Sequence, residues 1–529
     1  MSFGTVLSRT TGLLRLAAIA AALGVVESGR LTDTYNLANT APNIIYELIL
    51  GGVLTSVFVP VFVELLEKEG RERAWRVASA MINLTLVVLT AITIVGIVAA
   101  PWIARLYASR LDGSDAALQQ EALTFLLRLF LPQIIFYGLT AATAGLLNAH
   151  KRFGAPMYTP ILNNLAVIIV FLTFHQVYGR IDGLGDVTTG QLLVMGIGTT
   201  AGVALMAIAQ LPFLRGLGRY EWTLSMKHPS IRKLARLSVP VIGYVVVNQI
   251  GYLIVQFLAN RQVGGYSAYI NAFTFFLLPH GLFAVSVITA LLPGMSAAAV
   301  GERWDEFRAS LSIGVRATFL LVLPAAVGYI VLGQPIVRVL LEHGVMQARS
   351  TELVADVLRF FVLGLVPFSI FQLYLRAFYA LQDTKTPFLI NCVAVTLNTI
   401  LNVILFRTMQ VRGLAVGHAA AYLLGAVLQG RALGRRIDGL DGRRIAASAV
   451  RIGAASVGMG GVVWVTWRLL ESTLDTAALP GQLTVVGVPV ILGVAGYLGL
   501  CLLFRVEELG YVRGLVRRRL PGKPQGNQQ

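Results

Sequence analysis

Two arginines open the chain inside an apolar run. Arg9 and Arg15 lie in the stretch 5–26. An ionisable side chain within a membrane span costs about 2.5–3.5 kcal/mol on insertion scales, so it normally faces a cavity or a partner. Six helical residues are about 9 Å of rise. Arg9 can snorkel to the nearer interface. Arg15 is a turn and a half deeper, which points to a cavity, with a structural ion pair as the other reading. Glu47 lies in the next apolar run, after Pro42-Asn43 and before Gly51-Gly52. A proline and a glycine pair permit a bend and expose backbone carbonyls. Glu47 could pair with Arg15, or carry a proton or cation. Asp33 stands at the start of that helix, where it could belong to the cap. Arg128 and Arg359 occupy comparable places in later runs, and Arg376 lies near the far end of the same run as Arg359; each is interfacial or functional. Amides recur at Asn248, Gln249 and Gln256, and at Asn391, Asn398 and Asn402, the last two spaced i, i+4. Such amides hydrogen-bond between helices or line a site.

Catalytic chemistry has no foothold. The six histidines show no ligand spacing, and no nucleophile, metal or nucleotide motif stands out. Cys392 and Cys501 both sit in apolar runs and read as small core residues. An enzyme is not expected.

The elements that hold these residues follow from composition. Of 529 residues, 56% are hydrophobic and only 13% charged, about half the charge of an ordinary soluble domain. A cytosolic enzyme, a disordered chain and a disulfide scaffold are thereby excluded. Hydropathy predicts fourteen helices, at 5–26, 36–65, 78–104, 123–149, 156–176, 190–214, 237–259, 266–297, 311–333, 353–381, 386–407, 413–434, 446–468 and 483–504. The net charge of +17 reads mainly as topology. With both termini in the cytoplasm, most Lys and Arg fall in cytoplasmic loops and the tail. Anionic lipids are a further partner for these clusters; nucleic acid is not. Trp75, Trp102, Trp222 and Trp304 fall near span ends, where indoles sit at head groups.

An internal repeat organises the spans. Thr55 to Pro60 matches Thr289 to Pro293, Pro132 matches Pro367, and Leu147 to Lys151 matches Leu381 to Lys385, at offsets of 233 to 235. Six spans separate the copies, so both have the same orientation. The expected fold is an all-α polytopic membrane protein with two parallel, pseudo-symmetric six-helix lobes around a central cavity. The N-terminal lobe is 1–220 and the C-terminal lobe 221–440. An extra helix pair, 441–510, and a basic cytoplasmic tail, 511–529, follow.

The motifs also resemble a family. Ser8-Arg9-Thr-Thr-Gly12-Leu-Leu-Arg15 resembles the opening helix of MurJ/MviN lipid II flippases. Thr32-Asp33 through Pro42-Asn43 to Pro60, Leu278-Pro279-His-Gly281 through Ser296, and Phe378 through Asp383, Lys385 and Pro387 are similar to its later motifs. The resemblance implies the multidrug/oligosaccharidyl-lipid/polysaccharide exporter fold. It implies that lipid II, the lipid-linked peptidoglycan precursor, moves from the inner to the outer leaflet of the bacterial cytoplasmic membrane. It further implies that Arg9 and Arg15 contact the pyrophosphate head group, that Asp33 is a functional acid, and that the last two helices form a groove for the polyprenyl tail. The candidate substrate-binding set is Arg9, Arg15, Asp33, Asn43, Glu47 and Arg376. The chain departs from the family pattern at Tyr46, Thr274 and Gln372, where basic residues are expected, which leaves a less cationic cavity. At a proposed sodium site it has Val255 in place of an acid, although Asn398 and Asn402 match the partner positions.

Planar, always-charged guanidinium groups suit a pyrophosphate. Membrane potential, an ion gradient or consumption of the product outside could drive export; no cofactor is expected. Cell-wall synthesis proteins are further candidate partners. Two rival readings remain. A cation-coupled exporter of drugs or other polyprenyl-linked sugars predicts a cavity dominated by Glu47 and aromatics, with Arg15 neutralised. A non-transporting scaffold for cell-wall enzymes predicts that Arg9, Arg15 and Glu47 tolerate neutral substitution.

Overall fold

The computed structural model describes residues 2–47, 59–109, 111, 113–224, 229–476 and 478–510. Within them it describes all side chains except those of 2–3, 5–6, 59–61, 229–242 and 244. Helices dominate, and the described residues contain no strand. Lipid offers no partner for backbone polar groups, so a spanning segment must bond them internally, as a helix does.

Two compact units emerge, Met1–Ala268 with Leu340–Thr351, and Tyr269–Val339 with Glu352–Gln529. The first holds α1 (Ser2–Leu23), α2 (Leu31–Tyr46), α3 (Val59–Lys68), α4 (Arg71–Ala108), α5 (Gly113–Phe130), α6 (Gln133–Ala149), α7 (Gly154–Tyr178), α8 (Thr189–Ile208) and α9 (Pro229–Ala259). The chain passes into the second along α10 (Gly265–Pro279). There follow α11 (Val285–Val300), α12 (Trp304–Leu341), α13 (Ala348–Val362), α14 (Leu365–Ala380), α15 (Lys385–Met409), α16 (Val411–Arg436), α17 (Gly442–Thr473) and α18 (Leu479–Leu503).

Among the described residues, ten helical stretches are long and apolar enough to cross a membrane. They are eleven if α13 and α14, bent by 50°, form one span. The other three expected spans coincide with α1, with α2 and α3, and with α9. Large apolar side chains such as Val95, Ile169 and Leu502 stand exposed along these helices, as lipid-facing positions do.

The helices recur along the chain. α4 and α12 are both 38 residues long and begin 233 positions apart, at Arg71 and Trp304. α7 and α15 are both 25 residues long and begin 231 positions apart. The fourth and tenth expected spans are both interrupted. Pro132 follows the end of α5, where a missing N–H and a steric clash stop a helix. Gly364 follows the end of α13, and a Cβ there would lie 2.7 Å from Ala419 Cα. Of the repeat landmarks, Thr55–Phe58 lie outside the described residues, as does the tail 511–529.

Packing corrects one interfacial assignment. Trp102 and Trp222 are exposed as expected, but Trp75 is buried against Phe62, Leu146 and Leu217. A Cβ at Gly218 would overlap its indole. The ring anchors the start of α4 to its own unit rather than to head groups.

The second unit contains a buried charge that hydropathy does not reveal. Arg316 of α12 lies 2.5 Å from Glu508, with the two side chains only 2% and 5% exposed. Glu507 reaches Arg316 at 3.8 Å and Arg444 at 2.8 Å. The segment after α18 is thereby tied to α12 and α17. Removing one partner of a buried pair costs about 3–5 kcal/mol, whereas replacing both by apolar residues is often neutral. Glu508→Ala should therefore lower the unfolding midpoint in detergent strongly. Arg316→Met with Glu508→Leu should recover most of the loss.

Asp383, in the turn before α15, accepts from the N–H groups of Lys385 and Thr386, both at 3.0 Å, and pairs with Arg436. Burial raises its carboxyl, but the donors from Thr386 and Arg436 outweigh it and hold the group below the ordinary carboxylate range. A depressed folded pKa stabilises above the unfolded value of about 3.9. That stabilisation is lost as pH falls through the folded value. Asp383→Asn should remove this acid-side loss from a pH titration of thermal stability.

Candidate substrate-binding site

The first unit assembles a polar cluster around Arg15. Helix α1 is seated on α7 by Asn164, whose Nδ2 donates to Thr11 Oγ1 at 3.0 Å and to Ser8 O at 3.3 Å. This gives the Ser8–Gly12 motif a packing role and sets where Arg15, one turn beyond Thr11, can reach. Arg15 is half-buried and lies within electrostatic reach of the Tyr35 and Tyr137 hydroxyls. Tyr35 is fully buried and bonded to Thr199 at 2.9 Å. It is wedged edge-on against Phe130 and Phe171.

Asn43 brings α2 into the cluster. Its Nδ2 donates to Asn39 O at 2.9 Å, and its side chain lies near the Tyr137 hydroxyl of α6. Pro42, without an N–H, removes one hydrogen bond from α2 just before it. Tyr46, one turn on, packs against Tyr137 with ring centroids 5.0 Å apart. Cation, amide and two phenols thus converge from α1, α2 and α6, a set able to bind an anionic, hydroxyl-rich group.

Arg15 and Glu47 do not pair. Among the described residues neither takes part in a salt bridge, and Glu47 is exposed at the end of α2. Arg9 is exposed nearer the start of α1. Arg376 belongs to the second unit, where it is exposed with its guanidinium carbon 5.8 Å from the Tyr379 ring centroid. Gly51 and Gly52 lie outside the described residues. Arg128 is exposed, whereas Arg359 pairs with Asp356 at 3.0 Å, which also holds Arg412 at 2.7 Å.

Asp33 is engaged elsewhere. It lies ten residues before Asn43, about 15 Å along α2, and is fully buried. Its Oδ1 accepts from Ser267 N at 2.8 Å and Ser267 Oγ at 2.7 Å. Ser267 is the third residue of α10, so the carboxylate satisfies one of the free N–H groups that begin that helix. Asn36 donates to the same Ser267 hydroxyl, and Tyr266 to Thr40, both at 2.9 Å. Gln256 also proves structural, accepting from Tyr107 OH at 2.6 Å.

Glu27, in the turn between α1 and α2, is a second cap of this kind. Its carboxylate accepts from Val25 N at 2.9 Å, Val26 N at 3.2 Å, Gln347 N at 2.9 Å and Ser350 Oγ at 2.6 Å. Gln347 and Ser350 flank the start of α13. Nothing in the sequence marks Glu27, because two of its partners, Gln347 and Ser350, come from more than three hundred residues away.

The amides of the second unit give a partial match to a cation site. Asn398 Oδ1 and Asn402 Oδ1 both face Gly417 of α16 and are buried without a hydrogen-bond partner. A hard cation takes six to eight oxygens, usually with carboxylates among them. No metal-holding group of His, Cys, Asp or Glu occurs among the described residues.

One outcome tests the Glu27 cap. Hydrogen bonds to a charged group contribute about 1.5–3 kcal/mol. Glu27→Gln should lower the stability in detergent by an amount in that range, read as a lower thermal midpoint, while Glu67→Gln, at an exposed position, should leave it unchanged.

Comparison with known proteins bears on this arrangement. The family model of the lipid II flippase MurJ matches residues 19–483. A Rhizobium tropici protein named "Probable lipid II flippase MurJ" is 29% identical over 97% of this chain and 95% of its own length. The Burkholderia cenocepacia lipid II flippase MurJ is 30% identical over 72% of each chain. The fold is that of a solved lipid II flippase MurJ in an inward closed conformation, with TM-score 0.77 and 23% identity over 95% and 98% of the chains. An inward-facing MATE multidrug transporter of the MOP superfamily shares it more loosely, with TM-score 0.66 and 14% identity over 81% and 94%. With the family match extending over most of its length, this multi-pass membrane chain belongs to the lipid II flippase MurJ family.

Proposed function

We propose that this protein moves lipid II from the inner to the outer leaflet of the bacterial cytoplasmic membrane by alternating access, with Arg15 holding the pyrophosphate. The observation that carries the reading is the half-buried Arg15, without a salt bridge among the described residues and near Tyr137, in a chain of this family. A guanidinium in a shielded site attracts a phosphate far more strongly than in water, because the local dielectric is low. Its planar donors match phosphate oxygens two at a time. Tyr137 and Asn43 add neutral polar groups for the rest of the head group. Arg9, nearer the start of α1, meets the head group on its way in.

Both termini lie in the cytoplasm in this reading. Two lobes, 1–220 and 221–440, rock about the site, and helices 441–510 receive the polyprenyl tail. The basic loops bind anionic lipids, and cell-wall synthesis proteins consume the product. The membrane potential supplies about 2.3 kcal/mol per elementary charge per 100 mV, directed outward for an anion leaving a negative interior. No step passes through a bound cation. A cation-coupled exporter would need Arg15 neutralised by Glu47, and the two form no pair.

Arg15→Ala decides between these readings. Loss of one charge-assisted contact is worth about 1.5–3 kcal/mol, roughly ten- to a hundred-fold in affinity. Expressed at the normal level in cells depleted of the native protein, Arg15→Ala should fail to deliver lipid II to the outer leaflet, while Arg15→Lys should retain part of the activity. Full activity of Arg15→Ala would overturn the proposal.

A further inference from the structure

The aromatic pair beside Arg15 has a feature that anion binding does not use. Tyr46 and Tyr137 sit with ring centroids 5.0 Å apart and planes inclined at 43°. They form an open angle rather than a closed stack. Both rings are only partly buried. Tyr46 packs on one side against the cluster built from Phe62, Trp75 and Leu146. Tyr137 is held from the other side by the Asn43 side chain and lies in the field of Arg15. The pair is therefore fixed on its outer sides, and each residue keeps part of its surface exposed.

An accessible phenol beside a guanidinium and an amide matches a particular ligand chemistry. The face of an aromatic ring is electron-rich, and the axial C–H groups of a pyranose present a weakly positive, apolar face to it. An amide such as Asn43 pairs with ring hydroxyls or an acetamido group. The guanidinium takes the phosphate to which the sugar is attached. We propose that Tyr46 is the specificity-determining contact for the sugar next to the pyrophosphate, stacking on its apolar face while Tyr137 and Asn43 hold the ring in place. The inference rests on the reading of Arg15 as the phosphate contact and adds to it the means of telling a glycosylated carrier from a bare one. Arg15 recognises the charge common to every polyprenyl pyrophosphate; Tyr46 recognises what that charge carries.

The test compares two lipids on the full-length protein in nanodiscs: undecaprenyl pyrophosphate without sugar, and lipid II. Stacking of this kind contributes about 0.5–1.5 kcal/mol, roughly three- to ten-fold in affinity. Tyr46→Leu keeps apolar volume against Phe62 and Trp75 but removes the ring. It should weaken lipid II binding by that factor and leave the bare pyrophosphate unchanged. Tyr46→Phe should bind both lipids as the parent does. Arg15→Ala should weaken both together. If Tyr46→Leu weakens both lipids equally, or neither, while Arg15→Ala behaves as stated, the role of Tyr46 falls and the proposed function stands. If Arg15→Ala changes neither lipid, or the parent binds neither, the reading of the site falls and the role of Tyr46 with it.

Discussion

A guanidinium inside an apolar helix cluster is costly, and Arg15, which forms no salt bridge among the described residues, is surrounded in the first unit by neutral polar groups. A charged group in such a place needs polar neighbours to make its position tolerable. Tyr35, Tyr137 and Asn43 supply them, and each is held by something else. Tyr35 is tied to Thr199 and wedged between Phe130 and Phe171. Tyr137 is braced by Asn43 and Tyr46. Helix α1 itself is fastened to α7 through Asn164. The result is a charge left available instead of being cancelled by the nearest acid, which is what a site for an anionic ligand requires.

The acids of this region work at a different level of the same unit. Glu27 and Asp33 flank the turn into α2, and both spend their carboxylates on helix starts that come from far along the chain, those of α13 and α10. Carboxylates are well matched to such positions, because the first N–H groups of a helix are unsatisfied and carry partial positive charge. Each helix held in this way runs on into the second unit.

Small residues serve the second unit in the way polar groups serve the first. Gly364 lies on Ala419, and Gly417 lies on the two asparagine oxygens of α15, so α16 packs backbone to backbone against its neighbours, as membrane helices do at tight interfaces. The appended pair α17 and α18 packs on α12 through an apolar cluster that includes Leu320, Ile452 and Tyr497, and adds the buried Arg316–Glu508 pair. An apolar contact alone would gain little over lipid, whereas a buried ion pair has no alternative partner in hydrocarbon.

Much of this was legible in the chain before folding. Helical spans follow from apolar length, because a backbone in lipid has no other way to satisfy its hydrogen bonds. The duplication was visible in Pro132 and Pro367, and the structure carries it further in the matched lengths of α4 and α12. Arg15 stood out because an isolated cation in an apolar run has no local explanation. What the linear pattern could not reveal were the partners. Glu47 lay close enough in sequence to suggest a pair with Arg15 that the helices do not make. Trp75 lay close enough to a span end to suggest an interfacial ring, yet it is core. Glu27, Ser267 and Glu508 carry no signal of their own, since a cap or ion pair is defined by a group hundreds of residues away. Hydropathy acts locally, so sequence alone determined the spans and the unusual charges within them. Which charges are cancelled and which remain free depends on short-range contacts between distant segments, and only the tertiary structure decided that.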